Sequence, residues 1–265
     1  MTKLNARDEA RRANRDVDAN SRADYSEALE RGLLVLTAFG RGEERLTQAQ
    51  LARKLELPRA TVRRALLTLV HLGYVVLEDR AYRLAPRVLA LASAYLTTNP
   101  VSHLLQPVCD GLAEQFQASS TVAVLDGAMA VMIARALPRH TLPVGQGLGF
   151  QVPAVRSALG LVLLSGIDEE RRRQDLLDQA GLDEQSLRAL DDRIAEVADE
   201  GYAYVAHEVE AGFHSIAVPL LRWDGKPIAA LNVGNNVERL PEQAMREQIL
   251  PVLKETADKL RPQLV

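Results

Sequence analysis

The distribution of apolar positions changes character several times along the chain, and each change marks an element. From Met1 to about Asp24 the sequence is rich in Arg, Asp, Asn and Ala and has no aromatic residue. That is too little apolar surface to offset the entropy of ordering, so residues 1–24 are expected to be a disordered arm. Order begins at YSEALERGLLVLTAF, where Ser26 can cap a helix carrying Leu29, Leu33, Leu36, Val35 and Phe39 at helical spacing, and Gly40 and Gly42 end it. Thr47 then caps a short helix with Leu51, Ala52 and Leu55 on one face, ending near Leu57-Pro58. A second helix starts at Pro58 or Arg59, because proline suits a first helical turn, and buries Val62, Ala65, Leu66 and Leu69 until Gly73 stops it. Two β-prone runs in YVVLEDRAYRL surround a Glu78-Asp79-Arg80 turn and make a wing. Two helices joined by a tight turn, the second with a basic outer face, followed by a wing, predict a winged helix-turn-helix over residues 25–86.

The next segment, VLALASAYLTT from Val88 to Thr98, contains no charged residue although its spacing is helical. A helix apolar on all sides is usually buried on more than one, so residues 87–99 are read as a linker helix that packs against a second subunit, broken at Asn99-Pro100. Beyond it the pattern predicts a helix over Val101–Phe116 bent at Pro107. Strands at Thr121–Leu125 and Ala130–Ala136 follow, joined by a turn at Asp126-Gly127, then a glycine-rich loop around Gly145, Gly147 and Gly149. Helices near Ser157–Ser165 and at Ser186–Glu200 come next, the second stopped by Gly201. Strands are expected at Tyr202–His207, Ser215–Leu221 and Pro227–Val233, the last two joined through Asp224-Gly225, a strong hairpin signal. A closing helix starts at Pro241 with a kink at Pro251. Antiparallel strands that are neighbours in sequence, flanked by helices, indicate an α+β sensor domain with a mainly antiparallel sheet over residues 100–265.

Charge sharpens this division. Residues 1–98 carry 17 basic and 12 acidic residues, and the remainder carries 15 basic and 23 acidic. A basic front half suits approach to phosphates, and an acidic back half stays soluble and repels them. Between Thr47 and His71 five basic residues face the single acid Glu56. With Val62, Ala65, Leu66 and Leu69 buried, the second helix leaves Arg59, Ala60, Arg63, Arg64 and Thr68 outside, with Arg59 and Arg63 on one face at i, i+4. An arginine can hold two acceptors on guanine or clamp a phosphate, and Ala60 or Thr61 can touch a thymine methyl. Thr47 and Gln48 are placed for phosphate contacts. In the arm, Asp8, Glu9, Asp16, Asp18 and Asp24 nearly cancel the bases, which argues against specific contact there.

Other chemistry is poorly supported. The single cysteine, Cys109, allows no internal disulfide and no cysteine-rich metal framework, and the chain shows neither a signal peptide nor a membrane-length apolar run, so a cytoplasmic location is expected. GQGLG lacks the Lys-Ser/Thr of a phosphate-binding loop. The five histidines, His71, His103, His140, His207 and His214, are scattered out of metal-ligand spacing. His207 and His214 can meet across a strand turn, but packing is their expected fate. Ser215 beside His214 has no nucleophile elbow or placed acid. The expectation is a protein without catalysis, cofactor or metal. The alternatives are a small-molecule-binding enzyme and an interaction scaffold that docks through its winged helix.

The stretches ALERGLLVLTAF, LTQAQLARKLELPRATVRRALLTLVHLGYV, YRLAPRVLALASAYL, VAVLDG and AGFHSIAVPLLRWDGKPIAALNV resemble, in order and over nearly the whole chain after residue 24, the IclR family of bacterial transcriptional regulators. The resemblance is nearest to its branch governing protocatechuate and 4-hydroxybenzoate catabolism. It implies a homodimer or dimer of dimers, double-stranded DNA as a partner, and a GAF-like effector domain taking a small aromatic organic acid. It also implies a pocket made of Arg156, Ser157, Ala158, Leu159 and Gly160 on a helix, Val205, Phe213 and Ser215 on two strands, and Asn232 on a third. A helix N-terminus there suits a carboxylate, Arg156 could add a bidentate bond, and Phe213 would cover a ring. The chain differs from the family pattern at Arg156, where a small residue is usual, at His214, where arginine is usual, and at Ala206-His207, where an acidic pair is common. The stretch from Ser165 to Leu187 also looks short.

Overall fold

In the computed structural model the described residues are 25–40, 42–98, 100–138, 147–170, 172, 176 and 182–264. The expected arm at 1–24 and part of the glycine-rich loop lie outside them. The chain divides into two compact units, Met1–Ala94 and Tyr95–Val265.

In the front unit, α1 (Glu27–Leu36) is capped by Ser26, whose hydroxyl accepts from the Leu29 N–H at 3.3 Å, and Glu27 and Glu30 in its first turn complement the helix dipole. The next helix, α2 (Gln48–Lys54), opens with a capping box between Thr47 and Gln50. A turn through Glu56, with φ of 52°, leads to Pro58 and α3 (Arg59–His71). The wing strands β2 (Val75–Glu78) and β3 (Ala81–Leu84) are joined by Asp79 and Arg80, with φ of 47° and 69°. Two left-handed central residues match the twist of a two-residue hairpin. A strand of two residues, β1 (Leu46–Thr47), pairs with β3 and completes a three-stranded sheet. Val35, Leu51, Leu57, Val62, Leu66, Val75 and Tyr82 form the core. Two of the expected apolar positions are not in it: Leu29 is 63% exposed and Leu33 52%.

A third long helix of the chain, α4 (Leu89–Thr98), has no buried residue, and α5 (Pro100–Phe116) contains Pro107. The back unit is built on a six-stranded antiparallel sheet in the order β6-β5-β4-β9-β8-β7. Its strands are β4 (Ser119–Asp126), β5 (Met129–Ala136), β6 (Gln151–Pro153), β7 (Ala203–Ala206), β8 (Phe213–Leu221) and β9 (Pro227–Asn236). One face carries α6 (Ala158–Ser165) and α7 (Glu184–Glu200) over Ala123, Met132, Val205, Ala217 and Ala230. The other carries α5 and α8 (Leu250–Leu260) over Val122, Ala134, Ile216, Val218 and Leu231. Because both faces are covered, β8 and β9 read as nearly continuous apolar runs instead of alternating.

The closing helix is less regular than expected. A short turn, Glu242–Ala244, is followed by a π-helical turn, Met245–Ile249, before α8 begins with Pro251 in its first turn. Proline cannot donate to the turn before it and crowds the carbonyl four residues back, and widening that turn relieves both. The irregularity therefore precedes Pro251.

Candidate DNA-reading face and effector site

At 3.6 residues per turn, burying Val62, Leu66 and Leu69 turns Ala60, Arg64 and His71 outward and puts Arg59 and Arg63 on one flank. Arg59, Ala60, Arg63 and Arg64 are exposed, and among the described residues none of the three arginines forms an ion pair. Thr61, Arg64 and Thr68 stand on the opposite flank, where they line a groove of about 600 Å³ between α1 and α3 together with Leu29, Leu33 and Leu91. Thr61 is half-buried there, and Thr68 is exposed.

Thr47 and Gln48 also differ from expectation, because their side chains are engaged in the fold. The Thr47 hydroxyl accepts from the Gln50 N–H at 3.3 Å and meets Gln50 Oε1 at 2.8 Å. The Gln48 amide donates to the Arg59 carbonyl at 3.0 Å and pins the start of α3 to α2. In the wing, Glu78 bonds Arg83 at 2.5 Å, and this bond holds its carboxyl below the usual range. Arg80 is left exposed at the tip.

In the back unit, Ser157 caps α6 by accepting from the Gly160 N–H at 3.0 Å, and Ala158, Leu159 and Gly160 are buried. Val205 and Ser215 face each other in register on β7 and β8. Phe213 is half-buried with its ring against Gly234. Arg156 does not stand with them. It is exposed, and its guanidinium donates to the backbone carbonyl of Glu208, whose carboxylate is held in turn by Arg193 at 2.5 and 3.1 Å. Arg156 therefore latches the segment after β7 to the start of α6, which corrects the expectation that it faces the pocket.

The cation on the sheet face is Arg135, which the sequence reading passed over. Arg135, Thr121, Asn232 and Ala217 are successive register partners on β5, β4, β9 and β8. The Arg135 guanidinium lies 3.4 Å from the Met132 sulfur, on the α6 side, and burial lowers its pKa. The Gln106 carboxamide on α5 brackets the Arg135 backbone, donating to its carbonyl at 2.9 Å and accepting from its N–H at 3.1 Å. An arginine in the otherwise apolar run VMIARA was the available signal.

His214 lies on the opposite face, 1% exposed, with Nδ1 2.8 Å from the Tyr204 hydroxyl. His207 instead accepts from the Gly212 N–H at 3.1 Å, so the two histidines make no bond to each other. Among the described residues no cluster of His, Cys, Asp or Glu could hold a metal ion, and no helix is long and apolar enough to cross a membrane.

Residues 28–79 match the IclR helix-turn-helix domain, and residues 93–261 match the family described as bacterial transcriptional regulator IclR C-terminal. This chain belongs to the IclR family. As an IclR-family protein it is a transcriptional regulator with a DNA-binding front unit and an effector-binding back unit. It is 36% identical to the Pca regulon regulatory protein of Pseudomonas putida, over 91% of this chain and 85% of that protein. An IclR family transcriptional regulator from Brucella abortus shares the fold with a TM-score of 0.77 and 27% identity, over 89% of this chain and 91% of the other. The inducer-binding domain of a double mutant of the Acinetobacter PobR transcription factor, solved with 3-hydroxybenzoic acid, aligns with a TM-score of 0.53 and 32% identity, over 60% of this chain and 97% of that domain.

Proposed function

We propose that this IclR-family regulator controls a catabolic operon by inserting the start of α3 into the major groove of its operator, with DNA affinity set by a small aromatic carboxylic acid held against the α6 side of the back-unit sheet. It acts in the cytoplasm as a homodimer or dimer of dimers, without catalysing a reaction. The carrying observation is the row of exposed arginines Arg59, Arg63 and Arg64 on a helix whose start is fixed by the Gln48 amide. Fixing the helix start before contact lowers the ordering cost of base recognition. The aromatic-acid assignment is supported by the Pca regulatory relative and by the hydroxybenzoate complex of the PobR domain. The uncharged, unburied α4 supports self-association.

A gel shift on the promoter of the regulated operon tests this reading. Arg59→Ala with Arg63→Ala should weaken specific binding by about 10-fold or more, given roughly 1–3 kcal/mol for each good base contact. Each lost phosphate contact should lower the salt slope by about 1. A wild-type protein with no preference for that promoter over random DNA at moderate salt overturns the proposal.

A further inference from the structure

The helix α3 is gripped at both ends, and the two grips come from different parts of the chain. At its start, the Gln48 amide on α2 holds the Arg59 carbonyl at 3.0 Å. The other end lies 13 residues on, about 20 Å away. There the last carbonyls need partners that the helix itself cannot supply. Gly73, with φ of 76°, lets the chain turn back, so that the Gly73 and Tyr74 N–H groups donate to the Val70 and Leu69 carbonyls at 3.0 and 2.9 Å. The Leu72 carbonyl takes no part in that turn, and the Arg87 guanidinium donates to it at 2.5 Å. A cation also suits this end of the helix dipole. The same guanidinium lies 5.8 Å from the centre of the Tyr74 ring, and a Cβ added at Gly73 would come within 3.3 Å of its Nη1.

Arg87 stands on a single 3-10 turn, Pro86–Val88, that runs directly into α4. The chain crosses from the front unit to the back unit along α4, between Ala94 and Tyr95. A displacement that ligand binding imposes on this helix therefore enters the front unit beside Arg87. Leu91 on α4 lines the same groove as Leu69 and Leu72, so the start of α4 and the end of α3 share an apolar wall as well as a hydrogen bond. We propose that Arg87 is a positioning residue for DNA recognition: it ties the end of α3 to the crossing helix, so that the seat of Arg59 and Arg63 follows α4. This inference rests on the reading that α3 enters the operator and that an aromatic acid sets its affinity.

Binding of the full-length protein to operator and to random duplex, with and without saturating 3-hydroxybenzoate or 4-hydroxybenzoate, tests it in the wild type, Arg87→Met and Arg87→Lys. Arg87 is exposed, so both variants leave the core intact. One of the acids should change wild-type operator affinity about 5-fold or more. In Arg87→Met that change should fall close to one, while calorimetry shows the acid bound as in the wild type. Arg87→Lys, which keeps a charged donor, should recover part of the response. A purely structural role would lower operator affinity equally with and without acid; a wild-type response in Arg87→Met overturns the proposal. If neither acid alters the wild type's operator affinity, the aromatic-acid reading fails, and Arg87 is then decided without ligand. Its loss should reduce the preference for operator over random DNA about 10-fold, with affinity for random DNA, which rests on phosphates, unchanged. A wild-type preference in Arg87→Met overturns the proposal in that case.

Discussion

At Gly160 the chain passes so close to Ala154 that an added Cβ would lie 2.2 Å from the Ala154 Cα and carbonyl oxygen. Backbone cannot swing aside as a flexible side chain can, so Gly160→Ala must shift α6 or the turn before it. A cost of about 1–3 kcal/mol is expected, visible as a lower urea midpoint with an unchanged slope. His214 carries a different liability. Burial holds its imidazole below the ordinary value, so it stays neutral in the fold, whereas the unfolded chain takes up a proton near pH 6.5. The folded value is the depressed one, so its contribution to stability is complete above about pH 6.5 and is lost as pH falls toward the folded value. The melting temperature should therefore drop between pH 7 and 5.5, and drop less in His214→Gln. An equal drop in both proteins would assign the acid sensitivity to other groups.

Among the elements, α4 stands out because it lacks both charge and burial: Leu89, Leu91 and Tyr95 are 66%, 54% and 47% exposed. In the proposed homodimer, so much exposed apolar surface on one helix is the surface expected to be covered. Replacing Leu89 and Leu91 together with glutamate should weaken self-association measured by sedimentation about 10-fold or more, with helix content unchanged. Wild-type association in that variant would exclude α4 from the interface. Helix ends were the most legible features of the sequence, because Ser26, Thr47, Pro58 and Gly201 act locally and leave chemical signatures. The strands β1 and β6 were missed, since two or three residues carry no period to detect. Arg135 was missed for a subtler reason. The register shifts between Val122 and Ala123, and an extra residue in a strand exchanges the faces of everything beyond it. Only the paired strand reveals that Arg135 shares a face with Asn232, whereas Arg156, adjacent to the α6 motif in sequence, is drawn off by the Glu208 carbonyl.

For the whole molecule, the division into two units and the charge contrast between them were both readable in advance, because composition is a property of long segments and survives local errors. Strand order was not, since it depends on partners far apart in the chain. At the middle of the back-unit sheet, β4 pairs with β9, and Thr121 meets Asn232 across more than a hundred intervening positions. This pairing has a consequence during synthesis. The front unit has all of its residues by position 94 and can fold while the ribosome is still at work, since domains generally fold as units from the N-terminus. The β4–β5 hairpin emerges next, but its inner edge stays bare until β9 has been made. Such distant pairing is slow and leaves an open strand edge in the nascent chain, so the half that binds DNA is complete well before the half that binds the effector.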